Sequence, residues 1–167
     1  MNIPVRVEAP DDRPADVDYR WDSDTDILSA TLRSNGTLPK ARSTALELEG
    51  SDGSWLILDV CGGQIRGVEV AVWPEVQKRN ALAPPERVEN GTVIVGAVER
   101  GRRVAVEVET RLVAEADDMQ RTIHFRVGAL RQSRTVRIAR DILVDIDQRD
   151  RIAGLWLLEV PPNPDPS

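Results

Sequence analysis

The sequence predicts an all-β fold with one short helix, in which two similar hairpin-based β repeats share one hydrophobic core. Apolar and polar residues alternate along most of the chain, with the period of two that is typical of half-buried strands. Turn-forming Asn-Gly, Asp-Gly and Gly-Gly pairs separate the alternating stretches. One hairpin pattern occurs twice, at residues 55–73 and 142–160, which indicates an internal repeat with pseudo-two-fold symmetry.

The first copy of this hairpin has an apolar inward face and a glycine turn. Gly62 and Gly63 supply the turn, because glycine adopts positive φ without a steric penalty. In the second copy Asp145 takes the place of Asp59, and the turn is one residue longer. The residues predicted to point inward are Leu56, Leu58 and Val60 before the first turn and Val68, Val70 and Val72 after it.

The pattern along the chain predicts five parts. These are a flexible arm at 1–18, a first β repeat with the short helix at 19–83, a connecting β-hairpin at 84–118, a second β repeat at 119–160 and a disordered tail at 161–167. An arm that orders on a partner is the alternative to a loose N-terminus. The helix is expected from Pro74 to about Leu82, because proline suits the first turn of a helix. The alternation from Val104 to Glu115 is so long that we expect it to bend or to serve two pairings.

The bulk composition limits the class of protein. The 167 residues fit one domain or two small halves with a common core. A net charge of −6 argues against non-specific nucleic-acid binding. No leader-like or membrane-length apolar run is present, so we expect a cytoplasmic protein without membrane insertion. The single cysteine, Cys61, cannot form an intrachain disulfide or a cysteine-built metal site.

Two Asp-rich turns resemble the start of a calcium-binding loop. The turn at 22–26 has aspartate at alternate positions, as an EF-hand loop does. That loop then requires glycine at its sixth position and glutamate at its twelfth, where this chain has Ile27 and Arg33. The turn at 145–150 departs in the same way. We therefore interpret both as turn chemistry and predict neither a metal nor a cofactor.

Catalytic signatures are weak. His124 is the only histidine, and the inward positions of Ile123 and Phe125 place it on the outward face of its strand. A dyad with Cys61 is conceivable, but no pattern brings the two together. Phosphate loops, G-x-S-x-G elbows and H-E-x-x-H motifs are missing from the sequence. We predict no catalytic residue and no enzyme activity.

The region from Met119 to Arg140 is strongly basic. It contains no acidic residue and six arginines: Arg121, Arg126, Arg131, Arg134, Arg137 and Arg140. Arg126 and Arg137 alternate with inward apolar residues, so they are expected to project from the solvent face of the sheet. We expect this face to dock an acidic surface, either the segment at 8–26 or a partner, and a solvated strand face is the alternative.

Two tryptophans are candidates for a contact surface. Trp73 and Trp156 lie on the opposite parity from their inward neighbours, which predicts that both are exposed. Trp156 beside Leu158 and Val160 would then form an apolar patch, and such patches mark contact surfaces. The pattern predicts a protein partner or self-association.

The repeated motifs resemble a family of short bacterial proteins that is known only as a domain of unknown function. Trp21-Asp22 matches its opening turn, and Asp145-Ile-Asp147 with Gly154 matches its V-D-x-D-x-x-G-x-I-x-G-I-E hairpin. Residues 58–69 match the hairpin again, although Cys61 and Trp156 depart from it. The resemblance implies a tandem pair of compact β units and brings no catalytic residues.

These observations together predict a non-catalytic interaction or scaffold module, or an accessory subunit of a larger bacterial complex. The alternative is a small-molecule or metal-dependent binder or hydrolase that uses the Asp-rich turns.

Overall fold

A computed structural model describes residues 3–10, 13–33, 43–96 and 105–164, and this part of the chain is all β. The first sheet consists of β1 (Val5–Glu8), β2 (Val17–Asp22), β3 (Ile27–Leu32), β4 (Ser43–Gly50), β5 (Trp55–Cys61), β6 (Gln64–Val72), β9 (Thr92–Val95) and β10 (Ala105–Thr110). The second sheet consists of β7 (Val76–Lys78), β8 (Glu89–Asn90), β11 (Leu112–Ala116), β12 (Ile123–Val127), β13 (Ser133–Ala139), β14 (Ile142–Asp147) and β15 (Ile152–Leu157). The predicted fold class is confirmed.

Five strands of each sheet follow the same spatial order. In the first sheet the order is β2-β3-β6-β5-β4, and in the second it is β11-β12-β15-β14-β13. All of these neighbours pair antiparallel. A parallel strand follows at the end of each series, β10 beside β4 and β8 beside β13. The common order is compatible with two repeats, and their pseudo-two-fold relation stays a prediction.

The core lies between the two sheets. Their inward side chains belong to one hydrophobic cluster, in which Leu28, Leu48 and Leu58 of the first sheet join Phe125 and Leu155 of the second. All five of these side chains are fully buried. Because the inward faces of both sheets share this cluster, their outward faces point away from each other.

Both predicted hairpin turns are present. Gly62 and Gly63 have φ angles of 60° and 85°. They form a two-residue turn whose twist matches that of the flanking strands. The second turn is one residue longer, with Asp150 in the left-handed region at φ 57°. Asp59 lies opposite Gly67 and Asp145 opposite Gly154, and the register shifts after each aspartate.

Val72 is an exception to the predicted inward face of the first hairpin. Trp55 pairs with Val72 and Leu56 with Val70, so the register shifts at the end of the hairpin. This shift reverses the parity of the last strand residues. Val72 is 46% exposed as a result.

The predicted helix after Trp73 is wrong, since the described residues contain no α-helix there. Val76 and Lys78 instead belong to β7, which pairs parallel with β11. The Arg79 amide extends this contact by donating to the Ala116 carbonyl over 2.9 Å. A helix between Trp73 and the prolines at 84 and 85 would be too short to be stable alone. The segment therefore pairs with a distant strand instead.

The long alternating segment serves two pairings, as expected. Its first part, β10, pairs with β4 of the first sheet, and its second part, β11, pairs with β12 of the second. Residues 84–118 do not form the predicted connecting hairpin among the described residues. In this region β8 pairs with β13 and β9 pairs with β1 and β6.

Described residues near both ends of the chain lie against the sheets. The segment at 1–18, which we expected to be a flexible arm, contributes β1 and buries Ile3 and Val5 in the core. In the tail at 161–167, the Pro161 carbonyl accepts from Trp21 Nε1 over 2.8 Å, and Asn163 donates to Asp26. These apolar and hydrogen-bonded contacts are between residues distant in sequence.

No helix of the described residues is long and apolar enough to span a membrane.

Candidate interaction face

The outward face of the second sheet carries most of the predicted site residues. Strand pairing arranges them in two rows that cross the sheet. One row consists of Arg137, Leu143, Trp156, His124 and Glu115. The next row consists of Thr135, Asp145, Gly154, Arg126 and Val113. We call this surface the arginine face, because Arg126 and Arg137 lie on either side of its centre.

Asp145 is the centre of the arginine face. It is only 6% exposed, and a buried carboxylate is costly unless hydrogen bonds replace its water. Thr135 Oγ1 donates to Asp145 Oδ1 over 2.7 Å, and Trp156 Nε1 donates to the same oxygen over 3.2 Å. The other oxygen, Oδ2, lies 2.8 Å from His124 Nε2. Both carboxylate oxygens therefore have partners.

His124 and Trp156 form the apolar side of the same cluster. Their rings stack with centroids 4.1 Å apart and an interplanar angle of 25°. His124 is therefore held by a ring on one side and by the Asp145 carboxylate at Nε2. This fixes its orientation within the sheet face.

Gly154 leaves the space that this cluster needs. A Cβ at this position would lie 2.7 Å from Asp145 Oδ2, 2.7 Å from the Phe125 carbonyl oxygen and 3.0 Å from His124 Nε2. Real Cβ atoms do not approach other atoms so closely, so any side chain would displace the histidine–aspartate contact.

A second carboxylate, Asp147, closes the end of the β14–β15 hairpin. Its oxygen Oδ2 accepts from Arg131 Nε over 2.7 Å and from Arg151 Nε over 2.9 Å, and Oδ1 accepts from the Arg149 and Arg151 amides. Burial alone would raise the pKa of Asp147. The hydrogen bonds from Arg131, from the two amides and from the Arg151 side chain outweigh burial and lower this pKa to about 2.

Four of the six arginines between 119 and 140 pair with carboxylates. Arg121 pairs with Glu159, Arg131 with Asp147, Arg134 with Glu89 and Arg140 with Asp16. The Asp16 contact joins the basic region to the acidic N-terminal segment, which is one of the two docking arrangements that we expected. It does not involve Arg126 or Arg137.

Arg126 and Arg137 are the two arginines of this run that form no ion pair among the described residues. Arg137 Nη1 donates to the Arg140 carbonyl. Arg126 Nε is buried and has no hydrogen-bond partner within the described part of the chain. The strands of the two arginines are three spacings apart, about 14 Å across the sheet. They are therefore two separate cationic positions around the Asp145 cluster.

The tryptophan predictions require a correction. Trp156 is 6% exposed and Val160 fully buried, so the predicted exposed apolar patch with Leu158 is wrong. Trp156 does lie on the outward side of its strand, but the His124 ring of the neighbouring strand covers its indole ring. Trp73 is half-buried and lies between Trp21 and Phe125, with both ring centroids 5.8 Å away. Leu158 is half-buried, and its carbonyl accepts from Tyr19.

The contact between His124 and Asp145 was not predicted. The sequence contained a partial signal, because Asp145 could be placed opposite Gly154, but nothing placed β12 beside β15. The other candidate partner of His124, Cys61, lies at the end of β5 in the first sheet. In the described residues no Ser or Cys side chain contacts His124, whose partners are Asp145 and Trp156.

The Asp-rich turn at 22–26 is a hairpin turn. Asp22 Oδ1 accepts from the Asp24 amide over 3.0 Å, and Asp26 adopts the left-handed region at φ 58°. No group of three or more His, Cys, Asp or Glu side chains that could hold a metal ion occurs in the described ranges.

No protein-family model matches the chain, and no curated protein matches it either.

Proposed function

We propose that this protein is a non-catalytic interaction module that binds an acidic segment of a protein partner on the arginine face. The module would work as a scaffold or as an accessory subunit of a larger complex. Arg126 and Arg137 would bind carboxylates, and the Asp145 cluster between them would hold the surface rigid.

The Arg126 guanidinium group carries this proposal, because it lies on the outward face and forms no ion pair among the described residues. A buried N–H group without an acceptor costs about 1–3 kcal/mol, so a folded protein retains few of them. The buried Nε is closed to solvent, so a carboxylate from a partner would pair with the Nη donors of the same planar guanidinium group.

The charge distribution supports an acidic partner. Residues 119–157 contain eight arginines and four aspartates, a balance of +4. The whole chain carries −6, so the remaining residues carry −10. The segment 119–157, which supplies Arg126 and Arg137, is therefore the basic part of an acidic protein, and it would attract acidic segments at short range.

A protein partner fits this face better than a nucleic acid does. Single-stranded nucleic acids are bound by basic grooves with exposed aromatic rings on which the bases stack. The only tryptophan of the arginine face, Trp156, is buried under His124 and cannot offer such a ring.

The test uses a fluorescent oligoglutamate peptide as the probe, with binding measured by anisotropy. We expect Arg126→Glu and Arg137→Glu each to weaken binding by about tenfold or more, since a charged hydrogen bond is lost and a repulsion is added. Arg20→Glu makes the same charge change on the outward face of the first sheet and should bind like wild type.

Circular dichroism establishes that each variant is folded before binding is compared. The proposal is wrong if wild type does not bind the peptide. It is also wrong if all three variants lose affinity equally, because net charge alone would then account for binding.

A further inference from the structure

The outward face of the first sheet is acidic where the second sheet is basic. Five glutamates project from it, and we call this surface the acidic face: Glu47, Glu49, Glu69, Glu107 and Glu109. Strands β4 and β10 pair so that Glu47 lies opposite Glu107 and Glu49 opposite Glu109. Like charges in such positions destabilise a sheet. No lysine or arginine of the described residues forms an ion pair with any of the five.

An exposed tryptophan lies at the edge of the acidic face. Trp55 is 39% exposed and lies opposite Glu49 on one side and Val72 on the other. Val72 is 46% exposed, so the two side chains form an apolar patch beside the glutamates. An aromatic ring next to carboxylates suits an arginine, which pairs with the carboxylates and stacks on the ring.

The two outward faces carry opposite charges at one corresponding position, where Glu47 matches Arg137. In the first sheet, the row next to Asp59 and Gly67 contains Glu47, Ile57 and Glu69. In the second sheet, the row next to Asp145 and Gly154 contains Arg137, Leu143 and Trp156. The glutamate of β4 is thus replaced by an arginine on β13, the strand with the same place in the sheet order.

From this complementarity we propose that the acidic face binds the arginine face of a second copy of this chain. The inference rests on the proposed function and names the partner. Arg126 and Arg137 of one copy contact the glutamates of β4 and β10 in the other, and an arginine covers Trp55. The carboxylates then pair with the Nη donors of the two arginines, and the repulsion between paired glutamates is relieved.

The contact is heterologous, because each copy uses two different faces. The two faces point away from each other, so every added copy leaves one free face at each end of the assembly. Such contacts produce open chains unless the rotation closes a ring. The net charge of −6 opposes association at long range, but charges more than about 8 Å apart are largely screened at physiological salt. The charges in direct contact therefore decide the association.

Two complementary variants test the proposal by sedimentation velocity. Glu107→Gln/Glu109→Gln removes the charges of the acidic face at β10 and keeps the arginine face, and Arg126→Gln/Arg137→Gln does the reverse. All four residues lie on outward positions of their strands, so both variants are expected to fold. Wild type should form species larger than a dimer as its concentration rises, each variant alone should be a monomer, and an equimolar mixture should form a 1:1 heterodimer.

A matched control uses the same charge change away from both faces. Glu75→Gln/Glu86→Gln alters two exposed residues outside the strands and leaves both faces intact, so this variant should still form species larger than a dimer on its own. The heterodimer should dissociate when salt is raised several-fold above physiological strength.

The proposal is overturned if the two folded variants sediment as monomers when mixed, or if the control variant also fails to associate. If wild type binds oligoglutamate while the mixture stays monomeric, only the second-copy inference fails and the proposed function stands. If wild type fails to bind oligoglutamate, the proposed function fails as well.

Discussion

At the scale of single residues, Asp145 and Gly154 determine the structure of the arginine face. The carboxylate lies in an almost dry position, and its three partners come from three different strands: Thr135, Trp156 and His124. Such a network is stable only when every member has a partner. Gly154 is required because the contact between Asp145 and His124 occupies the space above it.

The chain contains its own control for the role of Gly154. We expect Gly154→Ala to lower the free energy of unfolding by about 1–3 kcal/mol, because the new methyl group overlaps Asp145 and the Phe125 carbonyl. Gly67 lies opposite Asp59 in the first sheet, but a Cβ there would have its nearest contacts at 3.3 and 3.5 Å. Gly67→Ala should therefore cost clearly less stability than Gly154→Ala, because none of its contacts falls below 3.0 Å. Urea unfolding measures both, and equal losses would contradict this account of Gly154.

At the scale of elements, the β14–β15 hairpin depends on the carboxylate that closes it. The pKa of Asp147 is lowered to about 2 from an ordinary value of 3.8. A carboxyl group with a lower pKa in the folded state stabilises the fold above its unfolded pKa. That stabilisation is lost as the pH falls through the folded value. The loss should therefore occur between about pH 4 and pH 2.

The variant Asp147→Asn tests this dependence. At pH 6 it should be less stable than wild type in urea unfolding, and the difference should shrink below pH 4 and disappear near pH 2. Asp150→Asn is the control, because Asp150 lies in the same turn with an exposed side chain and a left-handed backbone that asparagine accepts. This control should follow the wild-type curve. A constant difference between wild type and Asp147→Asn across this range would show that Asp147 does not titrate as described.

The sequence predicted best those elements whose structure depends on residues close together in the chain. Gly62 and Gly63 fix the first hairpin turn, and alternation correctly predicted the inward faces of most strands. The expected helix failed because the pairing of Val76 with Ala114 is not local. Trp156 was expected to be exposed for the same reason, since the ring that covers it belongs to a strand about thirty residues earlier.

At the scale of the whole molecule, two sheets with a common strand order enclose one core, and their outward faces differ in charge, with glutamates on β4 and β10 and arginines on β12 and β13. The site could be predicted in part, because charge and parity placed Arg126 and Arg137 on the outward face. The Asp145 cluster could not be predicted, because it requires the order of β12, β15 and β14 in the sheet. The resemblance to tandem copies of a bacterial β unit stays a prediction, with the common strand order as a reason to test it.

The central claim is that the arginine face is where this protein meets an acidic partner. The most direct measurement is an amide chemical-shift map of the wild-type protein titrated with oligoglutamate. We expect the largest shifts on β12, β13 and β15, around Arg126, Arg137 and the His124–Trp156 stack, and little change on β4 and β10. Shifts spread evenly over the surface, or concentrated outside the second sheet, would contradict the claim.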